Sequence, residues 1–488
     1  MPRSDRGSDF APGGADGLDP EDWSELRAQG HKMLDNMFDY VEGIRRRPVW
    51  QPIPDDARAR FRAELPRDPS PLADVHREFT EFVLPYATGN VHPGFMGWVH
   101  GGGTAVGMLA EMLAGGLNAN LGGRDHMPIE VERQVVAWMR QAFGFPLEAS
   151  GLFVTGTSMA NLLAVLVARA RALGEQVRQT GVGGVGTRLR AYSSVAAHGC
   201  IAQAMDLSGL GSEALRRVGI DAAHRIDIAA LREAIRADRE AGLEPFLVVG
   251  SAGTVDIGAI DDLRALHELC AEERLWFHID GAFGALGVFS PEIAPRLAGL
   301  ESADSIALDF HKWGQVPYDA GFLMVRDGQQ HFDTFAAPAA YLRRETRGLA
   351  AGSPWPTDFG PDLSRGFRAL KTWFTLKTFG TDRLGAMMAR TCALARYLER
   401  RIAAEEQLEL LAPVGLNIVC FRYRAANADE LNAEIVADIH ESGIAAPSTT
   451  TLAGKLAIRA AIVNHRTDEQ DLDALVDAVL KVGRVRTA

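Results

Sequence analysis

The sequence is poor in the residues that would crosslink a fold. Its four cysteines are far apart and form no C-x-x-C pair: Cys200, Cys270, Cys392 and Cys420. The histidines, including the one in the HGGG segment at residues 100–103, lack the spacing of metal ligands. We therefore expect buried, reduced thiols and predict no disulfide framework, zinc ribbon or metal site.

Long hydrophobic runs and clusters of positive charge are also missing. No stretch approaches 18 uncharged apolar residues, and the first 20 residues lack the apolar core of a signal peptide. The longest run of basic residues is Arg45–Arg47, and the net charge is −12. We therefore expect a cytoplasmic protein that binds neither membrane nor nucleic acid.

What remains is the composition of a large globular protein, 47% hydrophobic and 23% charged. Residues 1–20, rich in Gly, Asp, Pro and Ser, are predicted to form a disordered tail, and periodic residues with Pro-rich turns predict a helical segment over 21–89. Over 90–375, short apolar runs alternate with amphipathic helices, which is typical of βαβ units. Helical and β patterns then predict a small α+β domain over 376–488.

Several elements are predicted with bounds. A helix is expected over Asp261–Arg274, and a long helical stretch follows Phe367 and reaches about Ala404. The predicted strands of the large domain are Phe246–Gly250, Leu275–Ile279, Ser305–Leu308 and Phe322–Val325. No internal repeat is visible.

The first chemical signal is Lys312, which follows a predicted strand between His311 and Trp313. A lysine in an apolar passage from strand to loop is desolvated, which lowers its pKa and makes the amine a nucleophile toward an aldehyde. Taken alone, the pattern fits a solvated surface lysine better.

The second signal is Asp280, which ends the apolar strand of WFHIDGAFGA before a run of small residues. A carboxylate at this position can pair with a protonated ring nitrogen and keep the ring electron-withdrawing. The simpler interpretation is an aspartate that forms a turn.

Two further signals complete a set. The GTS turn opens a long helix, so its N–H groups and the hydroxyls of Thr157 and Ser158 can hold an anion, although an ordinary helix cap is an alternative. His198 lies between a short strand and a helix and can stack on a flat ring, although a packed histidine is more common. A lysine, an acid, an anion site and a flat side chain are what a phosphorylated pyridine aldehyde needs.

At these residues the sequence resembles the group II pyridoxal-phosphate-dependent amino-acid decarboxylases. The motifs that carry the resemblance, in order, are HPGFMGW, PIEVERQVVAWM, TGTSMANLLAVLVAR, AHGCIAQA, GTVDIGAIDDL, FHIDGAFGA, DFHKW, SRGFRALKTWF and IRAAIVNHRT. The resemblance extends from about Trp23 to the C-terminus. It implies an α/β fold of the type I aminotransferase architecture, a homodimer with shared active sites, and decarboxylation of an L-amino acid, which Trp98 and Phe95 suggest is aromatic.

The resemblance also assigns roles to individual residues. It implies that Lys312 holds pyridoxal 5'-phosphate as a Schiff base, that Asp280 pairs with the ring nitrogen and that His198 stacks on the ring. The remaining residues that it implicates in binding the cofactor are Thr157, Ser158, Thr254, Ala282, Asp309 and His311. It places Trp98, His100 and Arg459 in the substrate pocket.

The sequence departs from the family pattern at three places. Asp309 stands where the pattern usually has Asn, and Met159 replaces a frequent Glu. Family members often carry a loop tyrosine that helps to protonate the substrate carbon after CO₂ leaves, but residues 347–366 contain none, and the nearest is Tyr341. This absence raises an alternative product, an aldehyde formed by oxidative deamination.

Other classes fit the sequence less well. HGGG and residues 156–160 resemble the oxyanion loop and nucleophile elbow of a serine hydrolase, but Ala160 replaces the second glycine of the elbow. GVGGVG at 181–186 matches a dinucleotide motif in the reverse structural context. A non-catalytic scaffold is a third alternative, and the presence of both Lys312 and Asp280 argues against it.

Overall fold

Two sheets organise the protein, and the computed structural model describes residues 17–337 and 344–488 of it. The strands, in chain order, are β1 (Phe95–Met96), β2 (Ser150–Val154), β3 (Leu189–Ser194), β4 (Leu215–Val218), β5 (Glu244–Ser251), β6 (Trp276–Asp280), β7 (Ser305–Asp309), β8 (Gly321–Val325), β9 (Leu408–Leu410), β10 (Ile418–Tyr423), β11 (Ala446–Leu452) and β12 (Lys455–Ala461). The strands predicted in the large domain lie within two residues of their predicted bounds.

The helices surround these sheets. They are, in chain order, α1 (Trp23–Glu42), α2 (Asp55–Arg60), α3 (Leu72–Glu78), α4 (Ala105–Leu117), α5 (Met127–Ala142), α6 (Thr157–Leu173), α7 (Val177–Thr180), α8 (Gly183–Gly186), α9 (Cys200–Leu207), α10 (Ile228–Glu240), α11 (Leu263–Glu273), α12 (Gly328–Phe335), α13 (Arg368–Ala403), α14 (Ala428–Ser442) and α15 (Glu469–Thr487). Within the described ranges, no helix combines the length and the apolar character needed to cross a membrane.

The large sheet has seven strands in the order β2-β8-β7-β6-β5-β3-β4. Strand β8 is antiparallel to both of its neighbours, whereas the pairs from β7 to β4 are parallel. Strands β6, β7 and β8 are buried along their whole length because helices cover both faces of the sheet. These features confirm the predicted α/β class, and the sheet is mixed.

The small sheet has five strands in the order β1-β11-β12-β10-β9, and only the β1–β11 pair is parallel. Phe95 and Met96 pair with Ala446 and Pro447, so β1 belongs to the small sheet although it precedes the large one in sequence. The predicted large domain over 90–375 included it, because a strand of two residues has no periodicity to reveal its partner. The domain boundaries otherwise stay a prediction.

Helix α13 carries the chain from the large sheet to the small one. Its bounds agree with the helical stretch predicted after Phe367, but the helix is broken at Gly380, whose φ of 70° lies in the left-handed region. Residues 1–16 of the predicted tail lie outside the described residues. All four cysteines are buried and free, as expected.

Candidate active site

A cavity of about 510 Å³ opens at the carboxyl ends of the parallel strands, where ligands bind in open α/β sheets. Strands β3, β5, β6 and β7 each end in a loop that contributes to its wall. Of the twelve residues predicted to bind cofactor or substrate, eleven line this cavity: Trp98, His100, Thr157, Ser158, His198, Thr254, Asp280, Ala282, Asp309, His311 and Lys312. Residues far apart in sequence therefore meet at one site.

Lys312 lies in the turn that follows β7, and its side chain is 23% exposed. Its Nζ is 2.8 Å from Oδ2 of Asp309, and its backbone packs closely on the HGGG segment. A Cβ on Gly101 would come within 2.5 Å of the carbonyl oxygens of both His311 and Lys312. The turn is thus held rigidly, with the amine directed into the cavity.

Asp280 ends β6, and its carboxylate is buried in the cavity wall. Its Oδ1 accepts the N–H of Ala282 at 3.1 Å, and its Oδ2 accepts Nδ2 of Asn161 at 3.2 Å. Burial raises the pKa of Asp280, while the charges of Lys312 and His198 act in the opposite direction. A protonated nitrogen at this carboxylate would relieve the cost of its desolvation.

A buried chain of hydrogen bonds leads to the carboxylate of Asp280 from the protein interior. Asn161 Oδ1 is 2.8 Å from His278 Nε2, and Ser305 Oγ is 2.8 Å from His278 Nδ1. Trp276 Nε1 donates to the same Ser305 oxygen at 2.9 Å. Burial lowers the pKa of His278 to about 3, so the imidazole is neutral. With Nε2 as its donor, every bond in the chain points toward Asp280.

Asn161 was not identified from the sequence. It lies one turn into α6, within the apolar run MANLLAVLV, and its side chain is fully buried. An amide on the apolar face of a helix needs a buried partner. A polar amide on an apolar helix face is therefore the sequence signal that would have indicated a role for Asn161.

The first turn of α6 forms the second wall of the cavity. The N–H of Thr157 donates to Oδ1 of Asp309 at 2.7 Å. Among the described residues, none bonds the buried hydroxyl of Thr157. A Cβ on Gly321 would meet the backbone of Gly156 at 2.4 Å, so this turn is pressed against β8. The helix therefore presents a fixed, partly unsatisfied N-terminus to the cavity.

Three more lining residues are fixed by short local bonds. His198 Nδ1 accepts the N–H of Cys200 at 3.1 Å, which leaves the rest of the exposed imidazole free. His311 Nδ1 accepts the N–H of Ala320 at 2.9 Å, and burial lowers its pKa to about 4 although Asp309 opposes this. The Thr254 hydroxyl accepts a backbone N–H at 3.0 Å.

Aromatic rings surround the cavity mouth. The rings of His100, Phe95 and Trp98 form a cluster: the His100 centroid is 5.6 Å from that of Phe95 and 5.9 Å from that of Trp98, and the Phe95 and Trp98 centroids are 6.2 Å apart. Tyr318 contacts His100 edge-on at 5.7 Å and lies 4.2 Å from the ring of His311. Tyr318 was not singled out in the sequence, although it follows Lys312 in the same loop. Burial raises its pKa, with a smaller contribution from the charge of Asp309.

The structure does not support Arg459 as a pocket residue. Its guanidinium is buried below the cavity wall and donates to the carbonyl oxygens of Trp98 and Val255 and to Oγ of Ser448. These bonds satisfy the cation with backbone groups. Arg459 therefore braces the wall that carries Trp98, and the spacing that suggested a substrate contact could not distinguish the two roles.

The segment in which the sequence lacks a tyrosine packs away from the cavity. Trp355 is buried against Gly123, and Asp358 accepts the N–H of Trp355 at 2.7 Å. Of the described residues in 344–366, none lines the cavity. Tyr341 lies outside the described residues.

The features proposed for a hydrolase have other tasks. The N–H of Gly101 donates to the His311 carbonyl at 3.1 Å, and that of Gly102 donates to Oε1 of Gln315 at 3.0 Å. Neither is therefore available as an oxyanion donor. The dinucleotide-like motif at 181–186 follows α7, contains α8 and precedes β3, which is the reverse of the required order.

The cavity fits a phosphorylated pyridine aldehyde. The unpaired Thr157 hydroxyl and the α6 N-terminus suit a phosphate, the buried Asp280 suits a protonated ring nitrogen, and the Lys312 amine suits an aldehyde. Each of these groups faces the same cavity.

Comparison with known proteins agrees with this chemistry. The model of the pyridoxal-dependent decarboxylase conserved domain matches residues 54–424. An aromatic-L-amino-acid decarboxylase of Bacillus atrophaeus is 32% identical over 459 residues, which are 92% of this chain and 93% of that protein. An L-2,4-diaminobutyrate decarboxylase of Rhizobium meliloti is 31% identical over 419 residues, which are 85% of this chain and 81% of that protein.

A solved structure shares the fold. The crystal structure of Oryza sativa TDC with PLP and tryptamine matches with a TM-score of 0.88 and 25% identity, over 97% of this chain and 100% of that one. Family match, relatives and fold therefore agree, and the chain belongs to the family of pyridoxal-phosphate-dependent amino-acid decarboxylases.

Proposed function

We propose that this enzyme decarboxylates an aromatic L-amino acid to the corresponding amine, with Lys312 as the residue that bonds to the cofactor aldehyde. The observation that carries the proposal is the position of the Lys312 amine and the buried Asp280 carboxylate in one cavity at the N-terminus of α6. When bound, pyridoxal phosphate supplies a protonated ring that accepts the electron pair of the broken Cα–carboxylate bond.

The residues of the chain prepare this chemistry. With the cofactor bound, Asp280 would hold a proton at the ring nitrogen, because its carboxylate is buried and oriented by Asn161. His198, fixed through Nδ1, offers a flat face for stacking. Thr157 and Ser158 would hold the phosphate at the start of α6.

The cavity mouth supports an aromatic substrate. Trp98 is 57% exposed and lies beside His100, which gives a flat surface for a second aromatic ring. His100 and Tyr318 also face the cavity beside Lys312, where either can return a proton to the substrate carbon after CO₂ leaves. Burial and the charge of Lys312 lower the pKa of His100.

A product assay tests this proposal. Purified enzyme is given L-tryptophan, L-tyrosine, L-phenylalanine, L-histidine, L-glutamate and L-2,4-diaminobutyrate, and CO₂ and amine are measured. We expect kcat/KM for the best aromatic substrate to exceed that for diaminobutyrate by about tenfold or more. Trp98→Ala should erode this preference. A preference for diaminobutyrate would contradict the aromatic assignment but not the decarboxylation.

An aldehyde product is the second candidate, and the absence of tyrosine from residues 347–366 favours it. Amine, aldehyde, ammonia and peroxide are measured under air and under nitrogen with the best substrate. Aldehyde with peroxide under air alone would establish oxidative deamination. Stoichiometric amine in both atmospheres would establish simple decarboxylation.

The proposed enzyme is a homodimer. Helix α4 exposes Met112, Leu113 and Leu117 on one side, at 53%, 47% and 58% of their surfaces. Trp98 at the cavity mouth is also exposed, and we assign it to the same interface, because a second copy there would cover a further apolar side chain. The three α4 side chains and Trp98 make the surface that we assign to the second copy.

Sedimentation tests the dimer. Leu113→Glu combined with Leu117→Glu should give monomers, because two buried charges would oppose association. Leu147→Glu is the control, since Leu147 is 82% exposed and lies before β2. A double variant that sediments as the wild type would contradict this assignment.

A further inference from the structure

Two stretches of the chain that flank the cavity mouth are bound by one turn after the last strand of the small sheet. This NHRT turn, residues 464–467, follows β12 and binds backbone carbonyl oxygens of residues 90–93 and 102–103. Between the two stretches lies the mouth segment, residues 94–100, which contains β1, Trp98 and His100. Both ends of the mouth segment are therefore fixed by the same four residues.

The first end of the mouth segment is bound by Asn464 and Thr467. Asn464 Nδ2 lies 3.0–3.1 Å from the carbonyl oxygens of residues 90–92, so its two hydrogens are shared among three acceptors. The Thr467 hydroxyl donates to the carbonyl of Pro93 at 2.7 Å. Both side chains are buried, so these bonds are not open to exchange with solvent.

The second end is bound by Arg466 and His465. Arg466 Nη1 donates to the carbonyl oxygens of Gly102 at 3.0 Å and Gly103 at 3.2 Å, and it lies 3.5 Å from that of Val91. His465 Nε2 is 3.0 Å from the same Gly103 oxygen. Hydrogen bonds from a cation are stronger than those between neutral groups. Arg466 therefore ties the two ends of the mouth segment to each other.

The middle of the mouth segment is also attached to the small sheet. Phe95 pairs with Ala446, the N–H of Trp98 donates to Oγ of Ser448 at 3.3 Å, and Arg459 donates to the carbonyl of Trp98 at 2.9 Å. Trp98 has a φ of 49°, a left-handed conformation that a large side chain keeps only where its surroundings fix the backbone. The position of the indole thus depends on bonds made by the small sheet and the turn that follows it.

We propose that Arg466 is a positioning residue that fixes the aromatic wall of the substrate pocket and acts on the substrate through Trp98. This inference rests on the proposed function, in which Trp98 offers its face to an aromatic substrate. All four residues of the NHRT turn are described by the structure, and none of them lines the cavity. Their effect on a ligand must therefore pass through the mouth segment.

The loop that carries Lys312 has bonds of its own to the HGGG segment. The N–H of Gly101 donates to the carbonyl of His311 at 3.1 Å, and the N–H of Gly102 donates to Oε1 of Gln315 at 3.0 Å. Neither bond involves Arg466. We therefore expect a change at Arg466 to weaken recognition of the substrate and to leave binding of the cofactor nearly intact.

Binding of amines to enzyme loaded with pyridoxal phosphate tests the inference without turnover. The Kd values of phenethylamine and butylamine are measured from the absorbance of the cofactor. Arg466→Met keeps the length of the side chain and removes its donors, so the preference for phenethylamine should fall about tenfold. Arg466→Lys keeps a charged donor and should restore most of the preference. The Kd of pyridoxal phosphate should change by about twofold or less in both variants.

Turnover gives a second readout of the same change. With the best aromatic substrate, Arg466→Met should raise KM about tenfold with a smaller change in kcat, which is the signature of lost substrate binding. Arg484→Met is the matched control, because Arg484 is exposed on α15 and bonds to Gln407 at 3.1 Å. The control should keep the KM and the amine preference of the wild type.

A double variant separates a positioning role from a general structural one. If Arg466 acts through Trp98, then Arg466→Met should change the Kd of phenethylamine by about twofold or less when Trp98→Ala is already present. A tenfold weakening in both backgrounds would overturn the inference, and so would a loss of cofactor binding as large as the loss of phenethylamine binding.

Hydrogen exchange tests the positioning of the wall directly. Mass spectrometry should show faster amide exchange in residues 94–100 of Arg466→Met than in the wild type, with equal exchange in β6 and β7. Unchanged exchange in residues 94–100 would overturn the inference. A wild type that binds both amines equally would contradict the aromatic assignment of the proposed function, and the exchange rates would then decide the role of Arg466 alone.

Discussion

At the scale of single residues, Lys312 carries the most specific prediction. Lys312→Ala should abolish the covalent adduct that borohydride forms between wild-type enzyme and cofactor, because only an imine to an ε-amine is trapped in this way. The measurement is a peptide map of the reduced enzyme. Lys377→Ala, which removes a lysine over the ring of Trp373, is the control and should keep the adduct. An unchanged adduct at another lysine would contradict the assignment.

Asn161 gives a prediction for the hydrogen-bond chain below the cavity. Asn161→Leu removes the donor to Asp280 and leaves His278 without its partner on that side. We expect kcat to fall about tenfold with a smaller change in KM, because one hydrogen bond to a charged group contributes about 1.5–3 kcal/mol.

A purely structural role for Asn161 would lower thermal stability instead. The readout that separates the two roles is a pH titration of the absorbance of the bound cofactor, which reports the protonation that Asp280 supports. A variant with a normal titration and a normal kcat would show that the chain does not act on Asp280.

At the scale of elements, the contact between β8 and the start of α6 sets the position of the phosphate wall. A Cβ on Gly321 would meet three backbone atoms of Gly156 within 2.6 Å, and backbone cannot move aside as a flexible side chain can. Gly321→Ala should therefore weaken binding of pyridoxal phosphate by about tenfold or more and lower the melting temperature.

Gly366→Ala is the matched control, because nothing lies within 4 Å of the Cβ it would add. Cofactor affinity is measured by absorbance titration in both variants. Equal affinities would show that α6 shifts without cost to the site.

The elements that the sequence predicted well are those whose local pattern decides their structure. The apolar runs ending at Asp280 and Asp309 gave strands, and their order placed both carboxylates at one edge of the sheet. Strand β1 was missed because its pairing partner is distant in the chain: Phe95 and Ala446 are 351 positions apart. The break at Gly380 was missed because a single glycine inside a helical pattern is often tolerated.

The site shows the same division. Motifs that surround Lys312, Asp280 and Thr157 identified the chemistry, since each function needs one residue type at the end of an element. The roles of Arg459 and Asn161 could not be assigned in this way. Whether a buried polar side chain faces a cavity or braces its wall depends on packing between distant elements, which no local pattern encodes.

At the scale of the whole molecule, buried neutral histidines link stability to pH. His331 on α12 is fully buried, and burial lowers its pKa to about 3, whereas an unfolded histidine titrates near 6.5. The unfolded state therefore binds a proton below pH 6.5 that the folded state does not. The free energy of unfolding falls by about 1.4 kcal/mol per pH unit for this group as the pH drops from 6.5 toward 4.

His331→Leu should reduce the slope of the free energy of unfolding against pH by the amount that corresponds to one proton, about 1.4 kcal/mol per pH unit. The measurement is urea denaturation between pH 5 and pH 7. His331 does not line the cavity, so the variant tests stability without removing a residue of the site. His31→Gln, which removes an exposed imidazole from α1, is the control. His278 and His311 act with the same sign, so the wild type keeps a residual slope in the variant.

Trp313, the residue after Lys312, is fully buried, donates Nε1 to the hydroxyl of Thr391 at 3.0 Å and contacts Phe283 of the cavity wall edge-on. When it is excited, an indole in so rigid and water-free a position fluoresces in the near ultraviolet. A coloured ring bound beside the neighbouring lysine would absorb that emission. We therefore expect binding of the cofactor to quench the fluorescence of Trp313, so that this fluorescence reports the fraction of sites that are occupied.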